Sequence, residues 1–177
     1  MTRASVELEW LGVRTRRGEA YSYPDKRSAM SKEQYSVPAV YRWKLQPNDG
    51  KPSFLVGETE DLYRSLGEYL EHKNKHHTDL RKSFDRCRLN GRVTLEILDF
   101  HPFEINGVEF SKEKLFDPFV RGLLENLCCA LLQISRFELL NETFYKRAER
   151  KLVKLEKDAP GTIAALLQKV KVEQGKS

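Results

Sequence analysis

The chain has 177 residues, 40% hydrophobic and 32% charged, and its 31 Lys and Arg against 26 Asp and Glu leave a formal net charge of +5. These proportions suit one folded domain with a substantial core and exclude a disordered chain. No apolar run approaches the roughly 18 residues that cross a bilayer, and Met1–Glu7 lacks the apolar stretch of a signal peptide, so the expected compartment is cytoplasmic, with no membrane partner.

A pI near 9.1 permits a polyanionic partner without demonstrating one. Cys87, Cys128 and Cys129 are odd in number and contain no C-x-x-C. They read as free thiols, the last two as small hydrophobes in an apolar helix, rather than as disulfides or zinc ligands. His72, His76 and His77 near Cys87 read as a solvated helix end, not as a metal site.

Ser5–Val13 alternate enough for a strand, and residues 14–36 are polar, with scattered tyrosines, and read mostly as loop. Strands are predicted at about 38–45 and 53–57, joined through Asp49-Gly50 as a hairpin turn. A helix follows directly, over about 59–73, with Thr59 as its cap and Glu60 and Asp61 in its first turn. A second helix is expected at about 78–88, opening at Thr78 with Leu80, Phe84 and Cys87 on one side.

Asn90-Gly91 ends that helix, and Val93–Phe100 reads as a strong strand. Residues 103–110 form a small hairpin around Asn106-Gly107. Ser111 with Lys114, or Asp117-Pro118, starts a helix that runs to Leu132. Two charged helices close the chain, at about 141–157 and 161–172. The fold class is α+β, a small mixed or antiparallel sheet with helices packed on it. Positive charge without much acidic company gathers at Arg81, Lys82, Arg86 and Arg88, the expected phosphate-facing surface.

Ala39-Val40-Tyr41 in one strand, then Leu55-Val56-Gly57 in the next, then a helix, resembles the opening of the GIY-YIG endonuclease superfamily. The likeness covers roughly residues 37–141, leaving 1–36 as an N-terminal extension and 142–177 as charged C-terminal helices. It implies a three-stranded sheet with Val93–Phe100 as the third strand. It also implies a hydrolase that cuts nucleic acid, DNA more than RNA, with one Mg²⁺ or Mn²⁺. By the same likeness Tyr41 assists deprotonation of the attacking water and Glu125 holds the metal. Arg64 would clamp the phosphate, Tyr69 occupies the family's later helix position, and Asn141 falls where the family often has an Asn.

Two positions depart from the pattern. Leu55 stands where the family has its second tyrosine, and counting eight residues from Gly57 reaches Ser65, with Arg64 one earlier. One helical step turns a side chain by about 100°, so Arg64 reaches the clamp position only through a different helix start.

The chemistry explains the residue types. Phosphodiester hydrolysis needs a deprotonated water, a neutralised phosphorane and an assisted leaving oxygen. A hard cation on one carboxylate keeps most of its waters, so a single glutamate suffices. Each residue also has a plainer role. Tyr41 suits a core aromatic, Arg64 a solvated surface, Arg81, Arg86 and Arg88 a generic basic face, and Asn141 an N-cap. Glu125 sits among Leu123, Leu124, Leu127 and Leu131 and needs a partner, for which Arg121 at i−4 is the structural choice. The alternatives to an active nuclease are a catalytically impaired nucleic-acid-binding or protein-interaction module on the same scaffold, and an adaptor whose C-terminal helices recruit a partner.

Overall fold

A computed structural model describes residues 6–71, 75–140 and 161–169. Strand β1 (Leu8–Gly12) leads through a short 3₁₀ turn at Arg27–Ala29 and helix α1 (Lys32–Tyr35) into strands β2 (Ala39–Pro47) and β3 (Ser53–Thr59). Helices α2 (Leu62–Glu71) and α3 (Lys75–Leu89) follow, then strands β4 (Gly91–Phe100), β5 (Phe103–Ile105) and β6 (Val108–Phe110). After a second 3₁₀ turn come α4 (Pro118–Ile134), strand β7 (Glu138–Leu139) and α5 (Thr162–Lys169). The predicted helix at 141–157 lies outside the described residues.

The molecule is α+β, as its pattern implies. Its main sheet has five strands in the order β1-β4-β2-β3-β7, not three. The hairpin β2–β3 and the third strand β4 form its centre, all antiparallel. The two additions come from outside that stretch of sequence: β1 pairs antiparallel with β4, and β7 pairs parallel with β3 at Ser53 and Phe54. β5 and β6 form a separate hairpin whose turn residues, Asn106 and Gly107, both have positive φ, at 52° and 76°. That is the backbone a two-residue hairpin of the right twist demands.

Strand alternation sorts side chains to two faces. Val40, Phe54, Val56, Leu98 and Phe100 face α4, whose Leu123, Leu124 and Leu127 are fully buried. Tyr41, Trp43, Leu45, Leu55, Val93 and Leu95 face α2 and α3, meeting Leu62, Leu66, Leu80 and Phe84. Residues 14–36, expected mostly as loop, contribute Tyr21, Met30 and Tyr35 to that second core. The rings of Tyr21 and Tyr35 and the Met30 side chain are buried there, at 0%, 4% and 0% exposed.

Helix starts follow local capping chemistry. The cap of α2 is Asp61, which accepts from the Arg64 N–H at 2.8 Å, and not Thr59. Thr59 is still in strand β3, and its hydroxyl instead bonds the Asp61 backbone and the Ser65 hydroxyl. α3 begins by Lys75, so Thr78 lies inside it and not at its start. Both readings at the start of α4 have a place. Ser111 accepts from the Lys114 N–H in the 3₁₀ turn, and Asp117 caps α4 with Pro118 as its first residue.

Candidate functional site

The β2–β3 register places Tyr41 directly opposite Gly57. Because Gly57 has no side chain, the tyrosine ring lies across it: a Cβ there would stand 2.7 Å from both the ring Cζ and the hydroxyl. Gly57 is thus the seat of the Tyr41 ring. Tyr41 is buried, 8% exposed. Its hydroxyl is held well above the ordinary tyrosine range, first by burial, then by the negative charges of Glu125 and Glu58.

Glu58 pairs with Val40 across the strands and so turns to the α4 face. There Arg121 of α4 donates Nε to its carboxylate at 2.7 Å, with 7% and 17% of the two side chains exposed. Arg121 also donates Nη1 to the carbonyls of Leu115 and Phe116 at 2.7 and 3.1 Å. It therefore ties the 3₁₀ turn, α4 and β3 together. The sequence offers Arg121 to Glu125, and the structure gives it to Glu58. Glu125 stands one helical turn further along α4, half-buried.

Two carboxylates thus bear on one buried phenol, and Arg121 pairs with one of them, Glu58. Burial, reinforced by the two carboxylates, favours the protonated form of the Tyr41 hydroxyl, which suits it to donate a hydrogen bond. Among the described residues no group of three His, Cys, Asp or Glu side chains could hold a metal. A cation here would rest on one or two carboxylates and complete its shell with water, as Mg²⁺ does. Burial and the charge of Glu125 push the Cys129 thiol up to about 12, and burial also raises Cys128, so neither supplies a thiolate.

The other expected residues are more dispersed. Arg64 is 59% exposed and pairs at 3.6 Å with Glu60, which lies just before α2. Ser65, at the counted arginine position, bonds Thr59 at 2.6 Å. Tyr69 belongs to α2, but its side chain lies outside the described part, as do Asn141 and the side chains of His72, His76 and His77. Arg81 donates to the Leu70 carbonyl at 3.3 Å and Lys82 pairs with Asp79 at 3.3 Å, while Arg86 and Arg88 are exposed. All four sit on α3, across the sheet from α4, so the basic helix and Glu125 do not share one face.

Sequence reasoning missed Glu58 and the role of Arg121. The available signal was strand alternation, which turns the residue after Gly57 toward the helix that carries Arg121. It also missed Arg27, whose guanidinium lies 5.4 Å from the Tyr63 ring of α2. No protein-family model, curated protein or solved structure matches the chain.

Proposed function

We propose that this chain is a GIY-YIG-like, metal-dependent endonuclease domain that hydrolyses phosphodiester bonds in nucleic acid, DNA in preference to RNA. The observation that carries the reading is Tyr41 seated on Gly57 with Glu125 bearing electrostatically on its hydroxyl. In support, the antiparallel trio β4-β2-β3 stands at the centre of the five-stranded sheet, where the reading needs a three-stranded core.

In this reading Glu125 holds one Mg²⁺ or Mn²⁺, with Glu58 as the neighbouring carboxylate. A divalent cation bound there would supply charge to stabilise the departing oxygen and would offset the Glu125 charge that adds to the effect of burial on Tyr41. Tyr41 then orients the attacking water through its hydroxyl. Arg121 neutralises Glu58. Arg64, solvent-facing at the start of α2, meets the phosphate from outside.

A second reading has a specific observation in its favour. Ser65 stands at the counted arginine position with its hydroxyl bonded to Thr59, so that position offers no guanidinium to clamp a phosphate. Plasmid cleavage with Mg²⁺ or Mn²⁺ separates the two. The nuclease reading requires cleavage by the full chain and its loss in Glu125→Gln with the fold intact. Cleavage unchanged in that variant removes Glu125 from the mechanism. Absence of cleavage, with gel-shift binding that weakens steeply as salt rises, supports the impaired module. Absence of binding to duplex or single strands at low salt overturns both and leaves the adaptor.

A further inference from the structure

Strand β1 is one edge of the main sheet, and the ladder decides which of its backbone groups face outward. Residues along an antiparallel strand alternate between turning their N–H and C=O to the neighbouring strand and turning them away. On β4 the Val93 and Leu95 carbonyls accept from the N–H groups of Tyr23 and Val13, so the odd-numbered residues there turn to the β1 side. Their partners in β1 are Glu9, opposite Asp99, and Leu11, opposite Ile97. The backbone groups of Leu8, Trp10 and Gly12 therefore point away from the sheet.

Beyond Gly12 the same side is covered from within the chain. The Arg14 N–H donates to the Tyr35 hydroxyl at 2.9 Å, and the Arg16 N–H to the Ala29 carbonyl at 2.8 Å. The open edge is thus short and confined to β1. An edge of this kind accepts an added strand, whose main-chain bonds supply affinity while its alternate side chains supply the choice of partner.

Alternation also divides what β1 offers on either face. Leu8 and Trp10 pack against the core on the α4 side. Glu9 and Leu11 lie on the other face, exposed, and Glu7 precedes the strand in step with them. Among the described residues neither Glu7 nor Glu9 is in an ion pair. Glu9 faces Asp99 across the ladder, a like charge whose own cation is Lys112 at 2.7 Å. Carboxylates so placed repel one another and favour an incoming cation.

The same charges disfavour a second copy of this chain as the occupant. Two β1 strands laid antiparallel through their open positions would pair each Trp10 with its counterpart and Leu8 with Gly12. That register sets the two Glu9 side chains diagonally adjacent on one face, where like charges oppose pairing.

We propose that β1 is a docking edge for an extended segment of a partner protein in which basic and apolar residues alternate. The segment adds a sixth strand beyond β1, sets its lysines or arginines against Glu7 and Glu9, and lays its apolar side chains beside Leu8 and Trp10. The edge does not depend on the nuclease reading, because β1 lies outside the trio β4-β2-β3 that carries Tyr41 and Glu58.

The test follows the fluorescence anisotropy of a dye-labelled peptide, Lys-Val-Lys-Val-Lys-Val-Lys, titrated with the full chain at moderate salt. The expected result is saturable binding. Gly12→Pro removes an outward N–H and no bond to β4, at a position where a Cβ meets nothing within 4 Å. It should fold and bind the peptide about tenfold more weakly. Glu7→Lys with Glu9→Lys should weaken binding by about tenfold or more and admit Glu-Val-Glu-Val-Glu-Val-Glu instead. Thermal melts confirm that both variants fold. A peptide with the same lysines and valines in separate blocks keeps the charge but loses the alternation, and should bind about tenfold more weakly than the alternating one. No saturable binding, equal binding of the blocked peptide, or binding indifferent to both folded variants would each overturn the proposal. A dimer of the protein alone that Gly12→Pro dissolves would overturn it in favour of a second copy.

Discussion

The Tyr41 ring occupies the space that a side chain on Gly57 would need, with 2.7 Å between its hydroxyl and the position of that absent Cβ. The two residues are therefore one packing unit. Gly57→Ala should destabilise the fold by about 1–3 kcal/mol through overpacking. In a Tyr41→Val background the same alanine should cost almost nothing, because the ring that it meets is gone. Denaturant melts of the four proteins check this, and additive costs would show that the contact is not the cause.

The buried pair Glu58–Arg121 makes a second energetic prediction. Arg121→Met leaves a carboxylate that is only 17% exposed without its guanidinium, and should cost about 3–5 kcal/mol. Glu58→Gln added to Arg121→Met removes the stranded charge and should recover part of that loss. The carbonyls of Leu115 and Phe116 stay without their donor, so recovery is incomplete. A double variant no more stable than Arg121→Met would show that the carboxylate is not what makes the single change costly.

Alkaline titration tests the environment of Tyr41. Its pKa is raised in the folded state above the ordinary value of 10.0. Below that value both folded and unfolded states carry the proton, and the stability due to the neutral phenol is fully present. Above it the unfolded state releases the proton first, so stability falls as pH rises toward the folded-state pKa. Tyr41→Phe should lose stability less steeply than the wild type above pH 10.0 and show no difference in slope at neutral pH. Parallel curves throughout would place Tyr41 in contact with solvent.

Arg64→Ala isolates the phosphate clamp. The side chain is 59% exposed and its ion pair with Glu60 is an ordinary surface contact, so the melting curve should hardly move. Under the proposed function plasmid cleavage should fall by about tenfold or more. Cleavage at the wild-type rate would take Arg64 out of the site.

The basic face of α3 makes the last prediction. Replacing Arg81, Lys82 and Arg86 together with glutamine should weaken DNA binding across all sequences and flatten its salt dependence. Because α3 lies across the sheet from α4, cleavage at saturating DNA should change far less than binding does. An unchanged gel-shift midpoint at low salt would exclude α3 from the nucleic-acid surface.

Much of the central sheet was legible because its signals are local. Alternation marked β2, β3 and β4, and Asn106-Gly107 announced a hairpin through a backbone that few other residue pairs adopt. Asp117-Pro118 likewise marked the start of α4. What escaped depends on contacts distant in sequence. β7 has only two residues, too few for any periodicity, and becomes a strand through pairing with Ser53 and Phe54. Tyr21, Met30 and Tyr35 are buried by the sheet they meet, not by a pattern of their own.

The site shows the same division. That the Tyr41 ring rests where Gly57 lacks a Cβ follows from the strand register and could not be read from either residue alone. Arg121 lies four residues from Glu125 on one helix, a spacing that favours a local pair, yet β3 brings Glu58 nearer. The position of Ser65 followed from which residue caps α2: Asp61 sets the start of the helix and turns the Ser65 hydroxyl inward to Thr59.

The sheet order bears on how this chain can be divided. β1 covers one side of β4 along five paired positions, from Leu8 opposite Phe100 to Gly12 opposite Glu96. A fragment that begins at residue 37 would uncover that row of backbone donors and acceptors. It would also strip Tyr21, Met30 and Tyr35 from beneath Trp43 and Phe84. A bare, twisted strand beside a newly exposed aromatic surface is a template for pairing with other chains. Such a fragment should self-associate, which makes the first 36 residues a built-in guard against aggregation.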